Sequence, residues 1–165
     1  MNREQFTYLV HKELPGLRRF LLAACSGNSQ EADDIAQEAL LKAYTASAGF
    51  EDESGFSRWL YRIACNCLSD HQRKDAVRAG TLSIEKAYSI SSASHPDDTF
   101  DYQELYRAIA GLTLSERTAV LLFYMEDKSV KEIAVILEIP AGSVRAYLTR
   151  GRRHVKEYLE KWKTR

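Results

Sequence analysis

The sequence predicts an all-α protein of two small helical domains joined by a linker. Only 3 prolines and 8 glycines occur in 165 residues, so most of the chain is free to be helical. No segment alternates apolar and polar residues for long enough between turn signals to predict a strand. Residues 79–95 are rich in Ser and Ala, have weak periodicity and resemble a linker in composition. We therefore place the first domain at residues 1–76, a flexible linker at 77–98 and the second domain at 99–165.

Positive and negative charges balance over the whole chain but not within its parts. The 23 Lys and Arg residues equal the 23 Asp and Glu residues, which excludes a polybasic protein that holds nucleic acid by bulk charge. Residues 1–75 carry 9 basic and 11 acidic residues, whereas residues 140–165 carry 8 basic and 2 acidic ones, a net charge of +6. The sequence therefore predicts one locally basic surface in a neutral protein.

The chain lacks the sequence features of a membrane or secreted protein. No stretch approaches the ~18 consecutive apolar residues of a membrane span. The polar start at residues 1–6 lacks the layout of a secretory signal. The 3 cysteines are too few, and odd in number, for a disulfide framework. We expect a reduced, cytoplasmic protein that does not insert into a membrane.

The first informative helix is predicted over residues 29–44. Its apolar residues form a narrow buried stripe, which consists of Ala32, Ile35, Ala36, Ala39 and Ala43. Another face carries polar residues at helical spacing, namely Asp33, Asp34, Gln37 and Glu38. The residues alone leave two interpretations open for this second face: a solvated acidic surface, or a docking face for a basic protein surface.

The next helix, predicted from Phe56 onward, has a clear core face. Its apolar residues recur at helical spacing and are Phe56, Trp59, Leu60, Ile63, Ala64, Cys67 and Leu68. The opposite side is expected to display Arg58, Tyr61, Arg62, Asn66, Ser69, Asp70, Arg73 and Lys74. Arginines with an aromatic and an amide can contact phosphates and hold unstacked bases. Composition alone leaves a plain solvated surface equally open for Arg62, Asn66 and Arg73.

The second domain contains a predicted helix-turn-helix. Two helix starts, at residues 113–116 and 129–132, have capping-box sequences. The apolar spacing after the second start breaks at residues 138–140, and we place Pro140 at the first position of a new helix. Glu138 stands where such turns commonly have a left-handed Gly, a conformation that costs Glu about 1 kcal/mol. Two helices separated by so short a break cross steeply, as in DNA-binding proteins.

The second helix of this motif is basic on the side away from its apolar stripe. That side carries Ser143, Arg145, Ala146, Tyr147, Thr149, Arg150, Arg152 and Arg153. Guanidinium groups read guanine edges or hold phosphates, and a helix N-terminus with a serine suits a phosphate. A solvated basic helix in an unrelated bundle is the alternative interpretation.

No arrangement of residues typical of an enzyme occurs in the sequence. It contains no Ser/His/Asp or Cys/His triad, no Gly-rich phosphate loop and no series of metal ligands. Cys65 and Cys67 lie two positions apart on one helix and face different directions, so they are poorly placed to share an ion with His71. We expect no catalytic residue, no cofactor and no metal site.

Three runs of sequence resemble those of bacterial RNA polymerase sigma factors of the sigma-70 family, extracytoplasmic-function (ECF) group. They are ADDIAQEALLKAY at residues 32–44, FSRWLYRIACNCLSDHQRK at 56–74 and LTLSERTAVLLFYMEDKSVKEIAVILEIPAGSVRAYLTRGRRHV at 112–155. The resemblance covers nearly the whole chain in the order of the family. It implies a region 2 domain, a linker and a region 4 domain. It also implies an alternative sigma factor that binds core RNA polymerase, directs it to specific promoters and helps to melt the DNA.

The resemblance further implies roles for individual residues. The acidic face of Asp33, Asp34, Gln37 and Glu38 would dock on the clamp helices of the polymerase β′ subunit, and region 4 on the β flap. Recognition and melting of the minus-ten element would fall to Arg58, Arg62, Asn66, Asp70 and Arg73. Contacts with the minus-thirty-five element would come from Ser143, Arg145, Ala146, Tyr147, Thr149, Arg150 and Arg153. An anti-sigma factor, commonly a membrane-linked inhibitor, is a further expected partner.

One departure from the family concerns the recognition helix. Family members often carry Ser-Arg where this chain has Ala146 and Tyr147, so the promoter sequence does not follow from the resemblance. The second hypothesis is an autonomous helix-turn-helix regulator with an N-terminal helical sensing domain. It leaves the acidic face and the helix of residues 56–74 without a role. A small helical enzyme, the third class, lacks a site.

Overall fold

Seven α-helices make up the computed structural model, which describes residues 1–79 and 100–164. They are α1 (Arg3–Ala24), α2 (Ser29–Ala46), α3 (Phe56–Ala79), α4 (Phe100–Ala110), α5 (Leu114–Tyr124), α6 (Val130–Leu137) and α7 (Ala141–Lys163). Two short 3₁₀ turns, Ser47–Gly49 and Glu53–Gly55, join α2 to α3. No strand occurs in either described range, and the predicted all-α class is confirmed. Most of the predicted linker lies outside the described residues, while its first three residues, 77–79, belong to α3.

Polar side chains cap most of the helix starts for which capping contacts are described. Asn2 forms a capping box with Gln5 at α1, and Asn28 accepts a hydrogen bond from the Glu31 amide at α2. Ser129 and Glu132 form the predicted capping box at α6. The other predicted box is wrong in one half: Thr113 accepts from the Glu116 amide at 3.3 Å, but the Glu116 carboxylate pairs with His154 instead.

The first three helices pack around the small side chains of α2. The predicted stripe of Ala32, Ile35, Ala36, Ala39 and Ala43 is buried throughout. Small residues let α1 and α3 approach α2 closely, and α1 contributes Leu17, Phe20 and Leu21 to the same core. Phe56 is buried as predicted, and Trp59 stacks on Phe50 with ring centroids 4.4 Å apart.

The helix-turn-helix of α6 and α7 rests on α5. Glu138 ends α6 with φ 56° and ψ 45°, the left-handed conformation that the sequence predicts for this turn. Pro140 is the N-cap of α7 and not its first helical residue, because its ψ of 149° is extended. Gly151 lies buried where α7 crosses α5, and a Cβ placed there would be 2.7 Å from Cγ2 of Val120.

The two groups of helices, α1–α3 and α4–α7, also pack against each other. The contacting pairs are α3 with α6, α1 with α5, and α1 with α4. Apolar side chains from both groups form one continuous cluster. Packing of this kind has no local sequence signal, since the hydrogen bonds between the two groups join residues 65 to 107 positions apart.

Candidate protein-docking and nucleic-acid surfaces

The polar face of α2 is largely open to solvent. Asp33, Asp34 and Gln37 are exposed, because the opposite side of the helix is buried against α1 and α3. Glu38, the fourth predicted docking residue, is half-buried. Its Oε1 lies 3.1 Å from Nζ of Lys42.

A histidine on α3 is the second partner of the Glu38 carboxylate. Nε2 of His71 lies 2.9 Å from Oε2 of Glu38. Hydrogen bonds from His71 and then Lys42 hold the pKa of Glu38 below its usual range. From the sequence we consider His71 only as a metal ligand, and a poorly placed one. Its partner in the structure, Glu38, lies 33 residues away, so no local sequence pattern predicts the contact.

Two exposed apolar residues continue the same face of α2. Leu41 is 67% exposed and Tyr44 is 50% exposed. They follow Asp34 and Gln37 at helical spacing, so acidic, amide and apolar groups share one surface. Sequence reasoning missed both residues, although the spacing of Gln37, Leu41 and Tyr44 could have revealed them. We call the surface formed by Asp33, Asp34, Gln37, Glu38, Leu41 and Tyr44 the docking face.

Along α3 the structure separates the predicted minus-ten residues into two groups. Asn66 is exposed near the middle of the helix, and Asp70 and Arg73 form an ion pair of 2.6 Å toward its end. Asp70 and Arg73, with Lys74, Val77 and Arg78, line an open depression. Three of these five residues are basic, so the depression suits an anionic ligand such as a phosphate.

The other group, Arg58 and Arg62, lies nearer the start of α3. Arg58 is half-buried, and Arg62 donates a hydrogen bond from Nε to Oε1 of Glu138 in the turn between α6 and α7. Tyr61 is not displayed as predicted, since only 1% of it is exposed. It lies under the second group of helices and donates a hydrogen bond of 3.1 Å to Glu126. Burial, followed by the Glu126 charge, raises the pKa of Tyr61 above its usual range.

The recognition helix α7 presents most of its predicted contact residues to solvent. The exposed ones are Arg145, Ala146, Thr149, Arg150 and Arg153, while Ser143 and Tyr147 are half-buried. Tyr147 packs against the apolar cluster, and the guanidinium carbon of Arg150 lies 5.1 Å from the centre of its ring. Arg152 turns away from this group and donates a hydrogen bond of 3.0 Å to the Tyr124 hydroxyl on α5.

The cysteines do not form a reactive or metal-binding cluster in the part of the chain that the structure describes. Cys25, Cys65 and Cys67 are free thiols, and all three are buried. Burial raises the pKa of Cys25 and Cys65 to about 12 and that of Cys67 above its usual value. Within residues 1–79 and 100–164, no group of three or more His, Cys, Asp or Glu side chains is placed to hold a metal ion.

Comparison with known proteins assigns each of the two groups of helices to a protein family. Residues 9–78 match the family described as Sigma-70 region 2, and residues 102–155 match the family described as Sigma-70, region 4. The chain is 38% identical over 146 residues to the ECF RNA polymerase sigma factor SigW of Bacillus subtilis, across 81% of this chain and 78% of the relative. The chain belongs to the ECF group of RNA polymerase sigma factors. The ECF RNA polymerase sigma-E factor of Escherichia coli is 31% identical, across 80% of this sigma factor and 75% of the relative.

Solved structures agree with this assignment. The sigma factor RpoE of Bartonella quintana, solved in complex with the anti-sigma factor NepR, superposes on this sigma factor with a TM-score of 0.79. It is 26% identical and covers 94% of this chain and 96% of its own. CnrH, solved with the cytosolic domain of CnrY, shares the fold at a TM-score of 0.68 and 20% identity, across 97% and 90% of the two chains. An autonomous regulator is not favoured, because regions 2 and 4 both match in the order of the family.

No helix of this sigma factor in the two described ranges is long and apolar enough to cross a membrane.

Proposed function

We propose that this sigma factor binds core RNA polymerase through the docking face of α2 and through region 4, and uses α3 and α7 to recognise a promoter. In this proposal region 2 spans residues 1–76, region 4 spans residues 99–165 and residues 77–98 link them. The observation that carries the proposal is the division of charge between surfaces: exposed carboxylates on α2, and exposed guanidinium groups on α7.

Docking on a protein is supported by the composition of the α2 face. A solvated acidic surface needs no large apolar groups, yet Leu41 and Tyr44 are at least half exposed beside the carboxylates. Apolar and aromatic groups ringed by charge are typical of protein interfaces. We infer that Asp33, Asp34, Gln37 and Glu38 contact the β′ clamp helices, while region 4 contacts the β flap.

Promoter contacts are divided between the two regions. Asn66 on α3 is exposed and suits capture of an unpaired base of the minus-ten element, with Arg58, Arg62, Asp70 and Arg73 around it. In region 4, Arg145, Ala146, Thr149, Arg150 and Arg153 face solvent from α7 and would enter the major groove at the minus-thirty-five element. Ser143 and Tyr147 would support this contact from the half-buried edge of the helix.

An anti-sigma factor is the regulatory partner that this assignment favours. The relative from Bartonella quintana was solved in complex with such a protein, at 26% identity to this chain. The sigma factor itself would catalyse no reaction, bind no cofactor and act in the cytoplasm, where core polymerase and the chromosome lie.

Reconstituted transcription tests the proposal. Core polymerase, fragmented chromosomal DNA and the purified chain are expected to give discrete transcripts that are absent without the chain. Asp34→Lys is expected to weaken core binding at least tenfold, because it reverses an exposed charge of the docking face. Glu51→Lys makes the same charge change at an exposed residue outside that face and should bind core polymerase normally. Equal loss with both variants, or transcripts independent of the chain, would contradict the proposal.

A further inference from the structure

The recognition helix is longer than the part of it that the region 4 match covers. That match ends at residue 155, whereas α7 continues as a helix to Lys163. The major groove of B-DNA is about 12 Å wide, and the helix from Arg145 to Arg153 already spans about 12 Å at 1.5 Å per residue. The residues after Arg153 therefore extend beyond the width of the groove that the proposed contact residues fill.

The C-terminal extension of α7, residues 156–163, is fixed to the rest of region 4. The Tyr158 hydroxyl donates a hydrogen bond of 3.2 Å to Oε2 of Glu104, a carboxylate of α4 with only 4% of its side chain exposed. One turn earlier, Nδ1 of His154 lies 3.1 Å from Oε2 of Glu116 on α5. Partners on two other helices thus hold the extension in line with the recognition residues, and its outer side chains point in a defined direction.

Two lysines of the extension lie on the same side of α7 as Arg145. Lys156 and Lys163 follow Arg145 by 11 and 18 positions, which correspond to about three and about five full turns at 3.6 residues per turn. All three side chains are exposed, and none of them forms an ion pair with another residue in the two described ranges. They form a line of positive charges about 27 Å long. We call these three residues the basic row.

The other charges in this part of α7 do not belong to the basic row. Lys161 follows Arg145 by 16 positions, so it lies nearly half a turn away around the helix. Glu157 and Glu160 are rotated from the row by about a third and about a sixth of a turn. Arg152 lies near the same line, but its guanidinium donates to a tyrosine hydroxyl on α5. The basic row is therefore a line of cations that contains no carboxylate.

Stabilisation of the helix end by positive charge does not account for the basic row. Cations in the last turn interact favourably with the carboxyl end of a helix, and both Lys161 and Lys163 lie there. Lys156 lies about two turns before the end of α7, where this interaction has faded. Lys161 has the same benefit as Lys163 without lying on the row. The helix dipole therefore favours lysines near the end of α7 but does not align them with Arg145.

We propose that Lys156 and Lys163 bind phosphates of the DNA backbone beside the minus-thirty-five element, and so extend the promoter contact of α7 beyond the groove. This inference rests on the proposed function, in which Arg145 enters the major groove. When the N-terminal part of a recognition helix reads base edges, the part that projects past the groove lies over the phosphates that border it. A lysine binds phosphate as a point charge and reads no base. The two lysines therefore contribute affinity and not sequence preference.

The salt dependence of promoter binding tests the two lysines. The probe is a promoter fragment selected from chromosomal DNA by the parent holoenzyme, and its affinity is measured from about 50 to about 200 mM salt. Lys156→Gln and Lys163→Gln are each expected to reduce the slope of log affinity against log salt by about 0.9, and to weaken binding about three- to tenfold near 0.1 M salt. Lys161→Gln is the matched control, because it removes the same charge from an exposed position of the same extension, away from the row. It should leave slope and affinity unchanged. Equal slopes for all three variants would overturn the proposal.

A second promoter fragment separates phosphate contact from base recognition. It differs from the first by one base pair within the minus-thirty-five element. Lys156→Gln and Lys163→Gln should weaken binding to both fragments by the same factor, because the phosphates are present whatever the sequence. A loss of affinity confined to the unaltered fragment would show that the lysines read bases, and would overturn the proposal.

The free sigma factor tests the phosphate contact without polymerase. Fluorescence anisotropy of a short random-sequence duplex measures binding of the full chain at low salt, where phosphate contacts are strongest. Lys156→Gln and Lys163→Gln are expected to bind this duplex more weakly than the parent and Lys161→Gln. If the parent holoenzyme selected no promoter fragment, the proposed function would fail, while the duplex measurement would still decide the role of the row. Equal binding of the duplex by the parent and the two row variants would overturn the inference and would favour an acidic protein surface as the partner of the row.

Discussion

Glu38 on α2 and His71 on α3 are joined by a contact of 2.9 Å between Oε2 and Nε2. The histidine lies between Asp70 and Arg73, which belong to the proposed minus-ten surface, while the glutamate belongs to the docking face. One side-chain contact thus connects the surface proposed for polymerase with the helix proposed for DNA melting. Because the contact lowers the pKa of Glu38, its contribution to the free energy of unfolding depends on pH in the acidic range.

Glu38→Gln is expected to lower the free energy of unfolding, and the loss should shrink in acid. The hydrogen bonds from His71 and Lys42 place the pKa of Glu38 below its ordinary 4.5, so the carboxylate stabilises the fold above that pH. As the pH falls below 4.5 and through the lowered value, this contribution disappears. Urea unfolding from about pH 5 to pH 3 measures the difference between parent and variant. In a His71→Gln background the same substitution should have a smaller effect, and an undiminished effect would contradict the assigned partner.

Gly151→Val is expected to destabilise region 4 by about 1–3 kcal/mol, the usual range for overpacking a core. The added carbon would lie 2.7 Å from the stiff, β-branched side chain of Val120, and 3.7 Å from the backbone carbonyl of Glu116. Gly142→Val is the matched control, since it introduces the same residue in the same helix with no atom within 4 Å of the new Cβ. Chemical unfolding of the two variants should separate them clearly. Equal stabilities would show that α5 and α7 are not in close contact there.

Much of the fold follows from local sequence and is predictable from it. The buried stripe of α2 repeats every three to four residues, the start of α6 is marked by a capping box, and the turn before α7 is marked by Pro140. Each of these signals acts within a few residues. They do not depend on where the rest of the chain lies.

The contacts that sequence reasoning missed join residues far apart in the chain. The sequence places Tyr61 on the surface because its helix position is opposite the predicted core face, yet its ring packs against Phe20 of α1 and its hydroxyl reaches Glu126 of region 4. Its partner Glu126 is 65 residues away, and Arg19 is 107 residues from the same glutamate. One amino-acid sequence identifies which of these residues are charged but does not indicate which of them pair. Gly16, in the interior of α1, is a local irregularity that could have pointed to a close approach.

Glu138→Gly is expected to be more stable than Glu138→Ala by about 1 kcal/mol. Both substitutions remove the carboxylate that pairs with Arg62, so they affect the contact between regions equally. They differ in the backbone: position 138 has φ 56°, which Gly adopts freely and Ala does not. Thermal or urea unfolding of the two variants gives the difference directly. If Ala were the more stable, the turn would not hold the left-handed conformation in solution.

Arg150→Ala is expected to weaken binding of the reconstituted holoenzyme to the minus-thirty-five element by about tenfold or more, the usual effect of losing a guanidinium from a groove contact. Arg150 is exposed on α7, and its guanidinium lies over the ring of half-buried Tyr147. Arg152→Ala is the matched control, because it removes the same charge from the same helix at a side chain that bonds Tyr124 on α5 instead. Filter binding or fluorescence anisotropy at fixed salt compares the two variants. A general electrostatic role for α7 would weaken both equally, whereas the recognition surface assigned to α7 requires the loss to be concentrated at Arg150.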